Sequence, residues 1–189
     1  PNYKFVKEDI NSKEMHNLVK DCDAIVNFAA ESHVDNSIHG PEVFFHSNVL
    51  GTLNLLEAAR KSDKKFLQVS TDEVYGQIKE GTFTEKSQIK PRNPYSSSKA
   101  SADLITQSYW TTYKLPVLTT RSSNNFGPFQ HTEKLIPKFV TNLLKGIKVP
   151  LYGDGKNIRD WLFVEDNCRG IGTVLHKAKP GSIYNIGGD

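Results

Sequence analysis

The sequence has few cysteines, no long apolar segment and no targeting signal. Its two cysteines, Cys22 and Cys168, are far apart and fit neither a CxxC motif nor a zinc-ligand spacing. No apolar run approaches the ~20 residues that a membrane-spanning helix needs, and the first residues lack the pattern of a secretory signal peptide. These absences argue against a disulfide scaffold and a membrane protein, and they predict a reduced, cytoplasmic setting.

The chain has a small net positive charge, and its charged residues are unevenly distributed along the sequence. The net charge is +3, but residues 1–90 carry 11 Lys and Arg against 14 Asp and Glu, a balance of −3. Residues 91–189 carry 13 against 7, a balance of +6. No arginine-rich stripe or RNA-binding signature is present, so nucleic acid is not an expected partner. The basic second half favours an anionic ligand such as a nucleotide diphosphate.

Apolar patterning over the first two-thirds of the chain predicts strands that alternate with helices. The nearly continuous apolar run Ala24–Ala30 is typical of a strand buried on both faces of a sheet. Ser12 suits a helix N-cap, and Pro41 suits a first helical turn. The predicted strands are Tyr3–Lys7, Ala24–Ala30, Lys64–Ser70 and Pro116–Arg121, and the predicted helices are Ser12–Val19, Pro41–Lys61 and Ser96–Tyr113. This order predicts an α/β fold with a parallel sheet, in which ligands bind at the carboxyl ends of the strands.

Beyond Asn125 the pattern changes to shorter, mixed elements. Phe126-Gly127-Pro128 predicts a turn. The elements predicted after it are the helices Leu135–Lys145 and Asn167–Ala178 and the strands Val149–Tyr152 and Ser182–Ile186. We therefore expect a first domain in residues 1–125 and part of a smaller, substrate-holding lobe in residues 126–189.

Glycine is missing where a nucleotide-binding α/β domain most needs it. Such a domain begins with a strand, a glycine-rich turn and a helix N-terminus that together cradle a pyrophosphate. The chain has no GxGxxG motif, and its glycine pairs at Gly153-Asp154-Gly155 and Gly187-Gly188 stand in another context. We therefore expect these residues to be the N-terminally truncated, inner portion of a larger protein, with poor affinity for a dinucleotide in isolation.

Five polar residues at the ends of two predicted elements carry the chemical signal. Thr71, Asp72 and Glu73 follow a predicted strand, and Tyr95 and Lys99 lie one turn apart at the start of a predicted helix. A lysine ammonium beside a phenol lowers the pKa of the phenol and makes it a base near neutral pH. Adjacent carboxyls disfavour each other's ionisation, so Asp72 and Glu73 are expected to share one proton.

Four longer motifs surround these residues. They are Ala29-Ala30-Glu31-Ser32-His33-Val34-Asp35, Ser70-Thr71-Asp72-Glu73-Val74-Tyr75-Gly76, Ser123-Asn124-Asn125-Phe126-Gly127-Pro128 and Arg159-Asp160-Trp161. With Tyr95 and Lys99 they make the chain resemble the dTDP-glucose 4,6-dehydratases, a family in the extended branch of the short-chain dehydrogenase/reductase superfamily. The resemblance covers nearly the whole chain. It implies a Rossmann-like, NAD-binding domain, a sugar-nucleotide-binding lobe, and a homodimer that pairs through the helices in Pro41–Lys61 and Ser96–Tyr113.

The resemblance implies a lyase reaction that uses NAD. Tyr95, assisted by Lys99, takes the proton from the sugar 4-hydroxyl while hydride moves to NAD, and Thr71 hydrogen-bonds the same oxygen. The ketone at C4 acidifies the C5 hydrogen, which Glu73 removes, while Asp72 donates a proton to the departing 6-hydroxyl. Hydride then returns to C6, so that dTDP-glucose becomes dTDP-4-keto-6-deoxyglucose.

The resemblance also implies which residues hold the two ligands. The residues that match NAD contacts are Asp9, Ile10, Phe28, Ala29, Ala30, Ser32, Ser47, Tyr95, Lys99 and Asn125. The residues that match contacts of the sugar nucleotide are Ser32, Thr71, Asn124, Lys134, Leu135, Pro150, Tyr152 and Arg159. Pro150 and Tyr152 match positions beside the thymine. Arg159 matches a diphosphate-binding arginine, a role that its planar fork of donors suits.

Other interpretations of the same residues stay open. Asp72 and Glu73 are also compatible with a solvated turn, and Arg159 with a local salt bridge. A 4-epimerase or decarboxylase acting on a UDP-sugar needs no acid/base pair for loss of water. A non-catalytic fragment that packs against a partner would explain the missing glycine-rich turn. No metal is expected, because His33 and Asp35 have no third ligand at a suitable spacing.

Overall fold

The protein is built on a parallel sheet. The structure, a computed structural model, describes residues 3–188. Four strands form the main sheet, and they are β1 (Ala24–Asn27), β2 (Lys65–Thr71), β3 (Val117–Ser122) and β6 (Ile183–Ile186). They lie side by side in the order β1-β2-β3-β6 with all pairs parallel. A second, two-stranded parallel sheet pairs β4 (Asn124–Phe126) with β5 (Trp161–Phe163).

Within residues 3–188, seven α-helices connect and cover these strands. They are α1 (Met15–Leu18), α2 (Val34–His39), α3 (Pro41–Phe45), α4 (Thr52–Lys61), α5 (Pro94–Tyr113), α6 (Leu135–Leu144) and α7 (Val164–Lys177). A π-helical segment, His46–Gly51, joins α3 to α4, so the helix predicted over Pro41–Lys61 is continuous but changes geometry in its middle. None of the helices within residues 3–188 is both long and apolar enough to span a membrane.

Helices cover the main sheet on both faces. Because successive side chains of a strand point to opposite faces, Phe66 and Val117 pack among residues of α1, α4 and α5. Their neighbours Leu67 and Leu118 pack instead against residues of α7. All four side chains are completely buried. The predicted α/β fold with a parallel, Rossmann-like sheet is confirmed.

Replacing Phe66 by alanine is expected to destabilise this core strongly. Truncation of a buried aromatic ring loses its transfer free energy and leaves a cavity, at a cost of about 3–5 kcal/mol in the free energy of unfolding. Urea unfolding followed by circular dichroism measures the change. Phe129→Ala is the matched control, because that ring is fully exposed and its removal is expected to cost under about 0.5 kcal/mol. Equal losses in the two variants would contradict the placement of Phe66 in the core.

Two of the predicted strands are wrong. Tyr3–Lys7 and Val149–Tyr152 have irregular backbone in the structure. A strand needs a hydrogen-bonded neighbour, and within residues 3–188 nothing is paired to the outer edge of β1. Tyr3 and Phe5 therefore stay exposed in spite of their β propensity. In the second segment, Pro150 cannot donate to a strand ladder.

The ends of the remaining elements also differ from the prediction. The helix predicted from Ser12 begins only at Met15, with Glu14 as its N-cap, although Ser12 Oγ still accepts a hydrogen bond from the Glu14 amide at 3.1 Å. Pro41 occupies the first turn of α3 as predicted. The short elements α2, β4 and β5 have no counterpart in the prediction. Because β6 pairs with β3 and α7 packs on the main sheet, residues beyond 125 take part in both sheets. The division into two domains at residue 125 stays a prediction.

Candidate active site

A short turn after β2 places three of the candidate catalytic residues together. Thr71 ends the strand, and a 3₁₀ turn, Asp72–Tyr75, follows it. The Thr71 hydroxyl caps this turn, because it accepts a hydrogen bond from the Glu73 amide and donates one to Asp72 Oδ1, both at 3.2 Å. Asp72 and Glu73 are thereby held half-buried at the carboxyl edge of the main sheet. The turn is not fully solvated.

The first turn of α5 is fixed by its cap. Asn93 Oδ1 accepts a hydrogen bond from the Ser96 amide at 2.8 Å, while Ser96 Oγ accepts one from the Asn93 amide at 3.2 Å. This capping box, with Pro94 as the first helical residue, orients the turn that carries Tyr95. The Tyr95 ring packs edge-on against Phe44 of α3, with 6.4 Å between the ring centroids. The capped turn holds Tyr95 beside the turn after β2.

Lys99 is a buried cation one helical turn beyond Tyr95. Its side chain is 4% exposed, and its Nζ donates a hydrogen bond to the Val69 carbonyl of β2 at 2.7 Å. Burial disfavours the ammonium form and lowers the pKa of Lys99 to about 8, while the nearby Asp103 carboxylate acts in the opposite direction. Lys99 therefore changes charge within reach of physiological pH.

The pKa of Tyr95 differs from the sequence-based expectation. Burial and then the negative charge of Glu73 raise the pKa of the phenol well above its ordinary value, while the neighbouring Thr71 hydroxyl acts the other way. Lys99 is not among the groups that act on this phenol, so the expectation that Lys99 lowers its pKa is not borne out. Tyr95 lies beside Thr71 at the turn after β2, whereas Lys99 bonds Val69 within β2 itself.

Asp72 and Glu73 both favour protonation in this setting. Burial raises the pKa of each carboxyl, and the charge of Asp72 raises that of Glu73 further. Asp160 adds to the rise at Asp72, whereas the Arg159 cation opposes it at both carboxyls. Hydrogen bonds with Thr71 at Asp72 and with Asn93 at Glu73 lower the two pKa values in turn, and the sharing of a proton by the pair stays a prediction. The charge effects also show that Arg159 and Asp160 lie near the turn after β2.

Residues beyond β4 form hydrogen bonds with the segment that follows β1. Lys134 Nζ donates hydrogen bonds to the Ser32 carbonyl at 2.9 Å and to Ser32 Oγ at 3.4 Å. Tyr152 donates from its hydroxyl to Asp35 Oδ2 at 3.0 Å. The Lys134 charge also reaches Glu73, where it lowers the carboxyl pKa. Five of the eight predicted substrate residues are therefore linked to the turn after β2, to the loop after β1 or, for Tyr152, to α2 at its end; they are Ser32, Thr71, Lys134, Tyr152 and Arg159.

The three other predicted substrate residues are less closely tied to that set. Asn124 begins β4 directly after the end of β3 and is half-buried. Leu135 is exposed at the first position of α6, and Pro150 is half-buried in an irregular segment.

The predicted cofactor residues lie along the carboxyl edge of the main sheet. The strand predicted over Ala24–Ala30 ends at Asn27, which leaves Phe28 and Ala29 exposed and Ala30 partly exposed in the loop beyond it. Past the end of β3, Ser123 Oγ and Asn125 Oδ1 are buried without a hydrogen-bond partner among the described residues. Small exposed side chains and orphaned polar atoms at this edge fit a bound dinucleotide.

Asp9, Ile10 and Ser47 form a second part of the predicted cofactor set. Asn54 of α4 donates hydrogen bonds to the Ile10 carbonyl at 2.7 Å and to the Ser12 carbonyl at 2.9 Å, which ties their segment to the helix. Asp9 accepts from the Asn11 amide at 2.8 Å, so it also caps its own turn. Ser47 is half-buried in the π-helical segment. None of the three touches the turn after β2 in the structure.

The weak metal signal at His33 has a simpler explanation. His33 Nδ1 accepts a hydrogen bond from the Asn36 amide at 3.3 Å as the cap of α2, and its Nε2 lies 3.8 Å from Glu133 Oε2. In the part of the chain that the structure describes, no three His, Cys, Asp or Glu side chains are grouped as metal ligands. The expectation that no metal takes part stays a prediction.

Comparison with known proteins identifies the family. A family model described as GDP-mannose 4,6 dehydratase matches residues 1–189, the whole chain. The chain belongs to this family. Within it, the chain is 56% identical over 189 residues to the low-salt glycan biosynthesis protein Agl12 of Haloferax volcanii, covering 99% of this chain and 61% of that protein. It is 50% identical over 190 residues to the dTDP-glucose 4,6-dehydratase of Streptomyces antibioticus, covering 100% and 57%. The chain spans about three-fifths of the length of these relatives.

Solved structures agree with this membership. DesIV, a dTDP-glucose 4,6-dehydratase from Streptomyces venezuelae solved with NAD bound, matches with a TM-score of 0.98 and 51% identity, covering 100% of this chain and 59% of that one. A UDP-glucuronic acid 4-epimerase from Bacillus cereus, in complex with UDP-glucuronic acid and NAD, matches with a TM-score of 0.94 and 28% identity, covering 98% and 60%. The resemblance inferred from the motifs is confirmed. The same fold also supports epimerases.

Several residues of this dehydratase-family site are absent from the sequence-based prediction. Asn48, completely buried in the π-helical segment, donates to the Glu31 carbonyl at 3.0 Å and to Ser98 Oγ at 2.9 Å, and accepts from the Glu31 amide at 2.8 Å. Ser98 Oγ in turn donates to the Tyr95 carbonyl at 2.7 Å. Asn48 thus connects the loop after β1 with α5. The available signal was a polar residue four positions after Phe44 and seven before Leu55, on the face of the predicted helix that carries these two apolar side chains.

Proposed function

We propose that this chain carries the catalytic residues of an NAD-dependent dTDP-glucose 4,6-dehydratase, a lyase of nucleotide-sugar and deoxysugar biosynthesis. The observation that carries the proposal is the half-buried acid pair Asp72 and Glu73, held beside Tyr95 by the turn after β2. Dehydrogenation alone needs no such pair. Loss of water needs a base at one carbon and an acid at the leaving hydroxyl. The names of the relatives support the same reaction.

Tyr95 serves as the base for the sugar 4-hydroxyl in this proposal. Thr71, whose hydroxyl lowers the pKa of Tyr95 through a hydrogen bond, is proposed to bond the same sugar oxygen. Lys99 is proposed to assist Tyr95 once substrate and cofactor bind: its buried ammonium lies one helical turn away, although in the structure it donates to the Val69 carbonyl, and burial and Glu73 hold the pKa of Tyr95 high. Burial of the phenol makes the Lys99 charge more effective than it would be in water.

Asp72 and Glu73 are proposed to catalyse the loss of water, one as the acid and the other as the base. Glu73 removes the C5 proton once C4 carries a ketone, and Asp72, which burial and Asp160 keep inclined to hold its proton, donates to the departing 6-hydroxyl. A raised carboxyl pKa suits both roles, because general acids and bases work best when their pKa lies near the operating pH. The two side chains have different neighbours, which allows different protonation states.

NAD is the proposed cofactor and supplies reversible hydride transfer when it is bound. The exposed Phe28, Ala29 and Ala30 and the orphaned Asn125 Oδ1 are the groups of this chain that fit it at the carboxyl edge of the main sheet. Ser32 lies in the same loop as the alanines, and Ser47, Asp9 and Ile10 complete the proposed cofactor set. Tyr95 and Lys99 belong to the proposed cofactor set as well as to the proposed catalytic set.

The nucleotide sugar is proposed to bind between the loop after β1 and the residues beyond β4. Arg159 and Lys134 offer two cations for the diphosphate, and both already act on Glu73. Tyr152 and Pro150 are assigned to the thymine, and Asn124, Leu135 and Ser32 to other parts of the same ligand. A cytoplasmic location, a homodimer and the absence of nucleic-acid and membrane partners stay predictions.

Incubation with dTDP-glucose and NAD tests the proposal. The protein that carries this chain is expected to convert dTDP-glucose into a product lighter by one water, detected by mass spectrometry. The second candidate, favoured by the epimerase of the same fold, is a 4-epimerase or decarboxylase acting on a UDP-sugar. Parallel incubation with UDP-glucuronic acid, analysed by NMR, detects an isomer of unchanged mass or loss of carbon dioxide. Either result, without water loss from dTDP-glucose, would replace the dehydratase proposal.

The proposed role of Lys99 predicts a pH dependence. Because its pKa is lowered to about 8, the ammonium is lost as the pH rises through that value, and kcat is expected to fall there. Lys99→Arg keeps its charge at every accessible pH, so the decline near pH 8 should be absent from the variant's residual activity. The measurement is kcat against pH for both proteins. A decline at the same pH in the variant would assign it to another group.

A further inference from the structure

A third charged residue continues the line of Tyr95 and Lys99 along α5. Asp103 follows Lys99 by four residues, so the three side chains recur once per turn on one helix face. Asp103 is 1% exposed and Lys99 is 4% exposed, so a carboxylate and an ammonium both lie in the interior, one helical turn apart. Charged groups are rarely buried so completely unless they have partners.

A hydrogen-bond network that begins at Arg121 holds the carboxylate of Asp103. Arg121 of β3, also buried, donates from Nε to Asp103 Oδ2 at 2.9 Å and from Nη1 to the Tyr75 hydroxyl at 2.8 Å. Tyr75 then donates to Asn185 Oδ1 at 2.7 Å. Oδ1 of Asp103 has no hydrogen-bond partner among the described residues. Burial raises the pKa of Asp103, while the charge of Arg121 and its hydrogen bond act in the opposite direction and favour the carboxylate. Arg121 therefore fixes the carboxylate through one oxygen and is the main group that favours its charged form.

Asp103 is the group that favours the charged form of Lys99. Burial lowers the pKa of Lys99, and the Asp103 carboxylate opposes that effect. The other carboxylates near this helix face, Asp72 and Glu73, act on Tyr95 and have no resolved effect on Lys99. The backbone contact of Lys99 is the Val69 carbonyl, which carries no net charge.

We propose that Asp103 is a positioning residue for the Tyr95–Lys99 pair: its buried carboxylate keeps Lys99 protonated at neutral pH, and Arg121 fixes that carboxylate in place. The part that concerns catalysis rests on the proposed function. The competing explanation is a buried ion pair between Asp103 and Arg121 that only holds α5 against β3. The two explanations differ in what they predict for the charge of Lys99.

The direct test is an NMR titration of Lys99. The protein is labelled with ¹³C at lysine Cε, the Lys99 signal is identified by its loss in Lys99→Arg, and its midpoint is compared between the wild type and Asp103→Asn. The variant's midpoint is expected to fall by about one pH unit or more, since an opposite charge nearby shifts a pKa by that order. Asp103→Glu, which keeps the carboxylate, is expected to restore most of the shift. An unchanged midpoint in a folded Asp103→Asn protein would overturn the proposal.

A second variant protects the test against misfolding. Asp103→Asn alone leaves the Arg121 guanidinium buried without a counter-charge, which is strongly destabilising. The double variant Asp103→Asn, Arg121→Gln removes that cation and leaves two neutral groups that can hydrogen-bond. Arg121 has no resolved effect on the pKa of Lys99, so the double variant is also expected to lower the Lys99 midpoint. A double variant that folds and titrates like the wild type would establish the purely structural explanation.

Activity provides the second readout. In Asp103→Asn the fall of kcat at basic pH is expected to move down by the same interval as the Lys99 midpoint, with KM little changed. A lowered NMR midpoint without any dehydratase activity in the wild type would refute the proposed function and keep the assignment of Asp103. Dehydratase activity in the wild type, together with a Lys99 midpoint that is unchanged in Asp103→Asn, would support the proposed function and refute the assignment of Asp103.

Discussion

Tyr95→Phe is expected to lower the turnover of dTDP-glucose by a factor of about 10²–10⁴, the range that loss of a general base produces. Phenylalanine keeps the edge-on contact with Phe44 and the capped first turn of α5, so the fold should be retained. What is removed is the hydroxyl that sits beside Thr71 and Glu73. The measurement is kcat from the mass-spectrometric assay, with KM determined in parallel.

Tyr113→Phe is the matched control for this substitution. Tyr113 is the last residue of the same helix, is 53% exposed and lies outside the candidate site. Its variant should retain wild-type turnover. Undiminished turnover in Tyr95→Phe would remove Tyr95 from the mechanism, whereas an equal loss in both variants would indicate damage to α5 rather than to the base.

Glu73→Gln is expected to stop loss of water, again by a factor of about 10²–10⁴ in product formation. Glutamine matches the shape of glutamate but cannot accept the C5 proton. The sharpest readout is NMR in deuterated water, because removal of that proton and its replacement from solvent introduces deuterium at C5. The variant should show neither the dehydrated product nor deuterium at C5.

The control for Glu73 is Glu80→Gln, an exposed carboxyl a few residues further along the chain. It should incorporate deuterium and lose water as the wild type does. Deuterium uptake in Glu73→Gln at the normal rate would transfer the base role to another group. Asp72 is the first to test, since it lies in the same turn and shares the raised carboxyl pKa.

Local patterns predicted most of the fold correctly, and the error at Tyr3–Lys7 has a tertiary cause. Alternation and apolar runs identify β2 and β3, and Pro41 correctly marks the start of a helix, because these signals depend on neighbouring residues alone. Tyr3–Lys7 carries strand-forming residues as well. It remains irregular because a strand also requires a partner, and pairing is decided by distant parts of the chain.

The candidate site also combines features that local sequence predicts with features that only tertiary packing decides. The sequence by itself determined the family and the residues proposed to react, because the motif from Thr71 to Glu73 and the spacing of Tyr95 and Lys99 are local. Only the tertiary structure decided their states. It gave Lys99 the Val69 carbonyl as acceptor, raised the pKa of Tyr95, and placed Asp103 against Arg121. Burial and the distances between charges arise from packing across strands and helices, so no spacing along the chain encodes them.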